Sequence, residues 1–425
     1  MEKGHIFVSE KHYQRWKIIE LVELGKLTLV EAATKMGVSY RQAKRIRRAA
    51  GSEGVSAIAH GNRGRTPHNK TPKEKADRIL ALSKDPYNLF NDTHFTQKLA
   101  QSEKIKVSRE TVRRLRRAAG ITAKRKRRPP RHHKRRERKA QEGMMMLWDG
   151  SPHSWFGADQ PKASLMASID DATGKVLAAR FFQFECSVGY LWLLDKVINT
   201  YGVPLSIYHD RHGSLHRNDK HWSIEEQLAG SREPTQVGQA LKALEIQPIA
   251  ALSPQAKGRV ERLFHTLQDR LIAELDLAKI RTIDDANHFL DTYYIDQHNS
   301  DFAVAARESE KAWRRLIPRT DLKRVISFHY QATVGNDNAV RLGGIIIDIP
   351  PGPKRRSYAK ARVEVRQLLD GSWRIYYGDS IIAEHPSTSL TEPIRALRRR
   401  RTRGADSCGW MYIGQDDKLA DYALI

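Results

Sequence analysis

The segment Met144–Gly150, MMMLWDG, is an apolar run that meets a carboxylate at Asp149. Its length and its dense apolar residues predict a buried β-strand that ends at Asp149. Two more apolar runs follow, Ala163–Asp170 (ASLMASID) and Val176–Phe184 (VLAARFFQF), and the turn sequence DATGK separates them. Because a short turn returns the chain beside the strand that it leaves, the three strands are predicted to form an antiparallel meander.

The order of elements after the meander changes to helix, strand, helix, strand. The helices are predicted in SVGYLWLLDKVINTYG and TQVGQALKALEI, and the strands in VPLSIYHD, which ends at Asp210, and in QPIAAL. Alternating helices and strands favour parallel pairing in this half of the sheet. A mixed sheet with helices on both faces is the ribonuclease-H-like arrangement. Residues 213–234 are polar and irregular, and we expect an inserted loop there.

The last helix of this region is predicted in Ser253–Leu271, SPQAKGRVERLFHTLQDRL. Its apolar stripe consists of Val260, Leu263, Phe264, Leu267 and Leu271. At about 100° per residue, Glu261 falls on the edge of this stripe, from where it could turn toward the strand ends. Lys257 and Arg259, which flank it, are predicted to hold a DNA backbone.

Asp149, Asp210 and Glu261 are therefore predicted to converge at one edge of the sheet. Converging carboxylates are costly unless a cation neutralises them, and oxygen-only ligands suit Mg²⁺ or Mn²⁺. Two such ions would activate water or a 3′-hydroxyl and stabilise the leaving oxygen of an in-line phosphoryl displacement. A single aspartate after a strand is ordinarily a turn or cap residue, and this is our interpretation of Asp170 and Asp171.

Two segments near the amino terminus almost repeat each other: Val38–Gly51 (VSYRQAKRIRRAAG) and Val107–Gly120 (VSRETVRRLRRAAG), identical at eight of fourteen positions. Each is predicted to end a three-helix helix-turn-helix module, whose last helix enters the DNA major groove. The helices are expected near 10–25, 29–36 and 40–50 and near 72–83, 92–102 and 108–119. The DNA-contacting side chains are predicted to be Arg41, Lys44, Arg45, Arg48, Arg109, Arg113, Arg114 and Arg117. A lone basic helix is usually a solvated face, and the duplication argues against that alternative.

The basic charge is concentrated in the first third of the chain. Residues 1–140 carry 37 of the 74 Lys+Arg but only 13 of the 49 Asp+Glu. This asymmetry favours a nucleic-acid-binding front end over a membrane-surface patch, because the basic helices lack bulky aromatic faces. Arg63 and Arg65 resemble a minor-groove arm, for which a flexible basic linker is an equally good interpretation. The run Lys124–Lys139 would bind phosphates without reading bases.

Residues 322–388 are rich in predicted strands, with a hairpin turn at Leu369-Asp370-Gly371, and favour a small β-barrel. Basic residues around Lys354–Arg356 could touch DNA, with a solvated loop as the alternative. Two cysteines exclude a disulfide framework and a four-thiolate zinc site. No apolar run reaches membrane-spanning length, and the first residues lack a signal-peptide core. We expect a cytoplasmic, nucleoid-associated protein.

The segments LWDGSPHSWFG, IDDATGKVLAARF, YHDRHGSL and SPQAKGRVERLFHTLQDRL together resemble the catalytic core of DDE transposases and retroviral-type integrases. The chain is most similar to insertion-sequence transposases of the ISNCY group, and YIDQHNSDFAVAA resembles the segment that follows their core. The resemblance implies that Asp149, Asp210 and Glu261 are the catalytic triad of metal-dependent DNA strand cleavage and transfer at transposon ends. The interval of 51 positions between Asp210 and Glu261 is wider than in retroviral integrases, and the 213–234 insertion would account for it.

The sequence therefore predicts a multidomain α+β transposase that binds terminal inverted repeats on double-stranded DNA and acts as a dimer or larger assembly, without a membrane. Two alternatives remain: an inactive, transposase-derived DNA-binding regulator, and a structure-specific nuclease that does not join strands. The expected organisation is tandem helix-turn-helix modules, a ribonuclease-H-like mixed-sheet core and a small β-barrel. The boundaries are 1–55 for the first module, 56–71 for a basic linker, 72–121 for the second module, 122–142 for a second basic linker, 143–315 for the core, 320–388 for the barrel and 389–425 for a basic tail.

Overall fold

The structure is a computed structural model of the chain. It describes residues 10–54, 66–67, 70–124, 136–210, 212–215, 217, 224–230, 232–251, 258–352, 356–388 and 394. The chain forms two compact units, Met1–Arg78 and Ile79–Ile425. The division falls inside one helix, α4 (Lys73–Lys84).

The first unit contains three helices, which agree closely with the predicted ones: α1 (Glu10–Glu23), α2 (Leu29–Met36) and α3 (Tyr40–Glu53). Thr28 and Glu31 form a reciprocal capping box at the start of α2, and Ser39 accepts the Gln42 N–H at the start of α3. Gly37 ends α2 in the left-handed region at φ +60°, where glycine has no Cβ penalty. A small apolar core that includes Ile19, Ala32 and Ala43 holds the three helices together.

The centre of the second unit is a five-stranded mixed sheet in the order β3-β2-β1-β4-β5. Its strands are β1 (Met146–His153), β2 (Ala163–Asp170), β3 (Val176–Phe182), β4 (Ser206–His209) and β5 (Gln247–Ala250). The first three strands pair antiparallel, whereas β1, β4 and β5 pair parallel. The predicted meander and parallel half are therefore confirmed. The predicted end of β1 at Asp149 is wrong, because β1 keeps pairing with β2 as far as His153.

Helices cover both faces of this sheet. On one face, α7 (Ser187–Thr200) and α9 (Gln236–Ala243) pack against side chains such as Trp148 and Ile207. On the other, α10 (Gly258–Leu277) packs against side chains such as Leu147 and Leu165, and its five predicted stripe residues are all buried. The expected loop at 213–234 contains a short helix, α8 (Ile224–Ala229).

The free edge of β3 is covered by two asparagine side chains from the helices that follow α10. These are α11 (Ile283–Phe289) and α12 (Ile295–Phe302), joined by a π-helical turn. Asn287 accepts the Phe181 N–H at 2.7 Å and donates to the Phe181 carbonyl at 3.2 Å. Asn299 makes the same pair of bonds with Val176, at 2.7 and 2.9 Å. Each amide thus replaces one residue of a neighbouring strand.

The predicted second module contains three helices, α4, α5 (Asp92–Gln101) and α6 (Arg109–Ala118), and the second basic repeat lies in α6. Their apolar core, which includes Ile79, Phe95 and Val112, also contains Ala273 of α10. Asn91 and Gln97 add hydrogen bonds to Asp269 and Arg270 of the same helix. The module that contains α6 is therefore packed directly onto α10.

The carboxy-terminal part of the second unit begins at a short helix, α13 (Leu322–Val325). It contains a four-stranded sheet, β11-β10-β9-β6, and a two-stranded one, β7-β8. The bounds are β6 (Ser327–Thr333), β7 (Ala339–Leu342), β8 (Ile345–Asp348), β9 (Arg362–Leu368), β10 (Trp373–Tyr377) and β11 (Ser380–His385). Gln236 of α9 bonds both the N–H and the carbonyl of His329 on the outer strand β6. A closed barrel remains a prediction.

Among the described residues, no helix is both long enough and apolar enough to cross a membrane.

Candidate active site

Asp149 and Asp210 come together because their strands are parallel neighbours. Asp149 lies in the middle of β1, and Asp210 directly follows the last residue of β4. The register pairs Leu147 with Tyr208, which brings the two aspartates to the same level of the sheet. Both are partly buried.

A third carboxylate, Glu185, joins the two aspartates from the connection between β3 and α7. One oxygen from each of Asp149, Glu185 and Asp210 lies within 4.8 Å of the other two. The side chain of Glu185 is only 17% exposed. Among the described residues, this is the one group of three or more potential ligands close enough to share a metal ion.

Polar groups around the cluster hold the carboxylates in place. The Tyr190 hydroxyl donates to Oε1 of Glu185, and the His212 backbone N–H donates to Oδ1 of Asp210 at 2.9 Å. The ring nitrogen Nδ1 of His212 lies 3.6 Å from Glu185 Oε1. His209 is buried and directs Nδ1 at the Asp210 carbonyl. His212 thus contacts Asp210 and Glu185, and His209 contacts the Asp210 backbone.

The residues present fit a divalent cation. All three potential ligands are carboxylates, the donor type that Mg²⁺ and Mn²⁺ prefer, and no cysteine or histidine is part of the group. Three carboxylates at this spacing repel one another unless a positive charge neutralises them. The arrangement can therefore hold a hard cation and present it to a phosphate oxygen.

Glu261 does not join this group in the structure. It lies in the first turn of α10 and is exposed. Lys257 and the residues back to 252 lie outside the described residues. Arg259 is 13% exposed, pairs with Asp171, and donates to the Arg136 carbonyl at 2.7 Å. The roles of Glu261 and Arg259 remain predictions.

The neighbouring Asp170 and Asp171 are both fully buried. Asp170 accepts hydrogen bonds from the Thr173 N–H and hydroxyl at 2.8 Å each, which is the expected turn-stabilising role. Asp171 is more than a turn residue, because it binds the guanidinium groups of Arg136 and Arg259. The end of the basic run Lys124–Lys139 is thus held on the core by Asp171.

The predicted DNA-contacting side chains differ in how far they are free to reach a partner. On α3 and α6 the exposed ones are Arg41, Lys44, Arg45, Arg48, Arg109, Arg113 and Arg114. Arg113 pairs with Glu110, and Arg117 donates to Asp92 at 2.6 Å and to the Ile121 carbonyl at 2.7 Å. Arg63 and Arg65 lie outside the described residues.

Sequence reasoning missed Glu185 because the connection that contains it has no periodic pattern. One signal could have found it: Gly150 directly follows Asp149 inside β1. A glycine inside a strand often marks the close approach of another group. A Cβ built on Gly150 would lie 2.6 Å from Cδ and 2.8 Å from Cγ of Glu185.

No protein-family model matches the chain. It is 36% identical over 333 residues to y4bF of Sinorhizobium fredii (strain NBRC 101917 / NGR234), whose name describes it as a transposase; the match covers 78% of this chain and 71% of that protein. It is 33% identical over 328 residues to the transposase for insertion sequence IS1202 of Streptococcus pneumoniae, covering 68% of each. The HTLV-2 integrase catalytic core in complex with magnesium covers 37% of this chain and 90% of its own, at 18% identity and a TM-score of 0.24.

Proposed function

This chain belongs to the transposase family of its two curated relatives, and from that premise we propose that it cleaves and joins DNA strands at transposon ends. The observation that carries the proposal is the meeting of Asp149, on β1, with Asp210, which directly follows the adjacent parallel strand β4. A transposase that only bound DNA would have no use for carboxylates held together against their repulsion.

Asp149 and Asp210 are proposed to hold two Mg²⁺ or Mn²⁺ ions, with Glu261 as the third carboxylate. Such ions supply Lewis-acid activation of the attacking oxygen and charge neutralisation at the leaving oxygen. The two strands fix both aspartates, so little reorganisation is needed when a phosphate arrives. His212, whose backbone N–H holds Asp210, keeps that carboxylate in one orientation.

DNA recognition is assigned to the basic faces of α3 and α6, acting as helix-turn-helix reading helices on double-stranded transposon ends. Support comes from the exposed arginine and lysine side chains along both helices. Because two ends must meet during transposition, a dimer or larger assembly on DNA is part of the proposal.

The test is strand cleavage and joining on a labelled duplex that carries the element's own ends, with Mg²⁺ and with EDTA. Asp149→Asn and Asp210→Asn should abolish both reactions while end binding persists, and Glu261→Gln should do the same if it is the third carboxylate. Asp296→Asn, an exposed position on α12, is the matched control and should retain activity. Specific binding by folded wild-type protein that never cleaves would instead favour a regulator. Cleavage without joining would favour a nuclease.

A further inference from the structure

Glu185 reaches the two aspartates from outside the predicted triad. It lies between β3 and α7, whereas Asp149 belongs to the central strand β1 and Asp210 directly follows β4. Its carboxylate oxygen is nevertheless within 4.8 Å of an oxygen from each. A free glutamate would be expected to turn away from two like charges, so other contacts must hold it there.

Tyr190 is the first of these contacts. Its ring is fully buried on α7 and packs on Trp148 with ring centroids 5.1 Å apart, while its hydroxyl donates to Glu185 Oε1. This hydrogen bond fixes the carboxylate from one side.

Gly150 is the second residue that positions Glu185, because it has no side chain and leaves room for the carboxylate. Any side chain at this position would place its Cβ less than 3 Å from the Cγ and Cδ of Glu185. The φ angle of Gly150 is not positive, so backbone conformation does not require a glycine here. The residue beside Asp149 thus lacks a side chain where Glu185 needs room.

We propose that Glu185 supplies a further carboxylate to the divalent-cation site of Asp149 and Asp210, and that Tyr190 and Gly150 position it. The inference rests on the proposed function, which provides the reason for a cation. His212 also faces Glu185: its Nδ1 lies 3.6 Å from Glu185 Oε1, and its side chain is 38% exposed. An ion pair with protonated His212 would be the competing role for Glu185, and it can be tested separately.

The experiment measures Mn²⁺ binding by calorimetry, and thermal unfolding with and without Mn²⁺, on the full chain. Glu185→Gln should weaken Mn²⁺ binding on the order of 10- to 100-fold, the range seen when groups that support a metal site are removed. Its Tm without metal should be unchanged or higher, because one of three repelling charges is gone. Gly150→Ala should weaken binding comparably without that gain, since no charge is removed. Glu310→Gln, at an exposed position, should match wild type in every readout.

Tyr190→Phe keeps the ring and should give a smaller loss of affinity than Glu185→Gln. Unchanged Mn²⁺ affinity in Glu185→Gln would overturn the inference, as would an equal loss in His212→Gln, which would assign Glu185 to the ion pair. If wild-type protein cleaves end DNA and Glu185→Gln binds Mn²⁺ as tightly as wild type, this inference is refuted and the proposed function is not. If Glu185→Gln weakens Mn²⁺ binding but wild-type protein never cleaves end DNA, the proposed function is refuted and this inference is not.

Discussion

The ammonium nitrogen of Lys98 on α5 lies 2.8 Å from Oε2 of Glu274 on α10, and both side chains are buried. His94 approaches the other oxygen of Glu274, also at 2.8 Å. Burial would raise the pKa of Glu274, but hydrogen bonds from His94 and Lys98 outweigh it, so that pKa is lowered. Burial lowers the pKa of His94. A charged Lys98–Glu274 pair, with neutral His94 beside it, therefore connects the module of α4, α5 and α6 to α10.

Removing the charge of Glu274 should destabilise the protein strongly. Glu274→Gln leaves the Lys98 ammonium buried without a counter-charge, which costs about 3–5 kcal/mol in comparable sites. Urea unfolding monitored by circular dichroism measures the loss, with exposed Glu310→Gln as the matched control. A loss below about 1 kcal/mol would show that water or a rearrangement compensates the lysine.

Stability should fall when the pH is lowered from about 6.5 toward 4, because of His298. Burial lowers the pKa of His298 from 6.5 to about 4, and the charge of Arg270 adds to the effect, while Asp301 opposes it. The unfolded chain binds the proton first, so the stability present above pH 6.5 is lost progressively down to about pH 4. The loss from this group is about 3 kcal/mol.

The check for His298 is the free energy of unfolding against pH for wild type and His298→Gln. The variant should have a flatter profile between pH 6.5 and 4, whatever its stability at neutral pH. Its slope should not become zero, because burial lowers the pKa of His94 as well. Parallel profiles for the two proteins would mean that His298 is protonated without cost in the fold.

Two arginines on α6 should behave in opposite ways when replaced by alanine. Arg116 is 4% exposed and donates to the Phe90 carbonyl at 3.0 Å and to Asp92 at 2.9 Å, whereas Arg114 is exposed. Arg116→Ala should cost about 3 kcal/mol of stability, because it leaves Asp92 with one cation fewer in a partly buried site. Arg114→Ala should leave the Tm unchanged and weaken DNA binding.

Salt dependence distinguishes the Arg114 effect from a general loss of fold. The slope of log K against log salt should fall by about 0.9 for each phosphate contact removed. Fluorescence anisotropy on an end duplex at several salt concentrations gives this slope. An unchanged slope in Arg114→Ala would remove α6 from the proposed DNA interface.

Asn287→Ala should destabilise the sheet at β3. The side chain is 6% exposed, and its loss leaves both the N–H and the carbonyl of Phe181 without their partner. A buried group left unsatisfied costs about 1–3 kcal/mol. Chemical unfolding and amide hydrogen exchange at Phe181 would report the change, with Asn199→Ala on the exposed side of α7 as control. Unaltered protection of the Phe181 amide from hydrogen exchange would contradict this prediction.

Much of the fold could be predicted because its signals are local. Apolar runs and turn sequences located the five strands of the mixed sheet, and the carboxylates at two of those runs predicted that Asp149 and Asp210 meet. The end of β1 was missed because Asp-Gly-Ser-Pro is typical of a turn, although β2 supplies the pairing that carries the strand past Pro152. Periodicity placed Glu261 at the edge of the apolar stripe. It does not encode how the helix is rotated over the sheet, so it could not tell whether Glu261 reaches the two aspartates. The contact of Glu185 with Gly150 forms between distant segments, and its one local trace is the glycine itself, which shows that a group approaches closely but not which group.

The amide side chains over β3 and β6 also bear on how copies of this protein can associate with one another. Outer strands present unpaired N–H and carbonyl groups, on which a second molecule can add a strand. Asn287 and Asn299 occupy those groups at two points along β3, and Gln236 occupies them at His329. Association of copies through continuous strand addition at these two edges is thereby blocked.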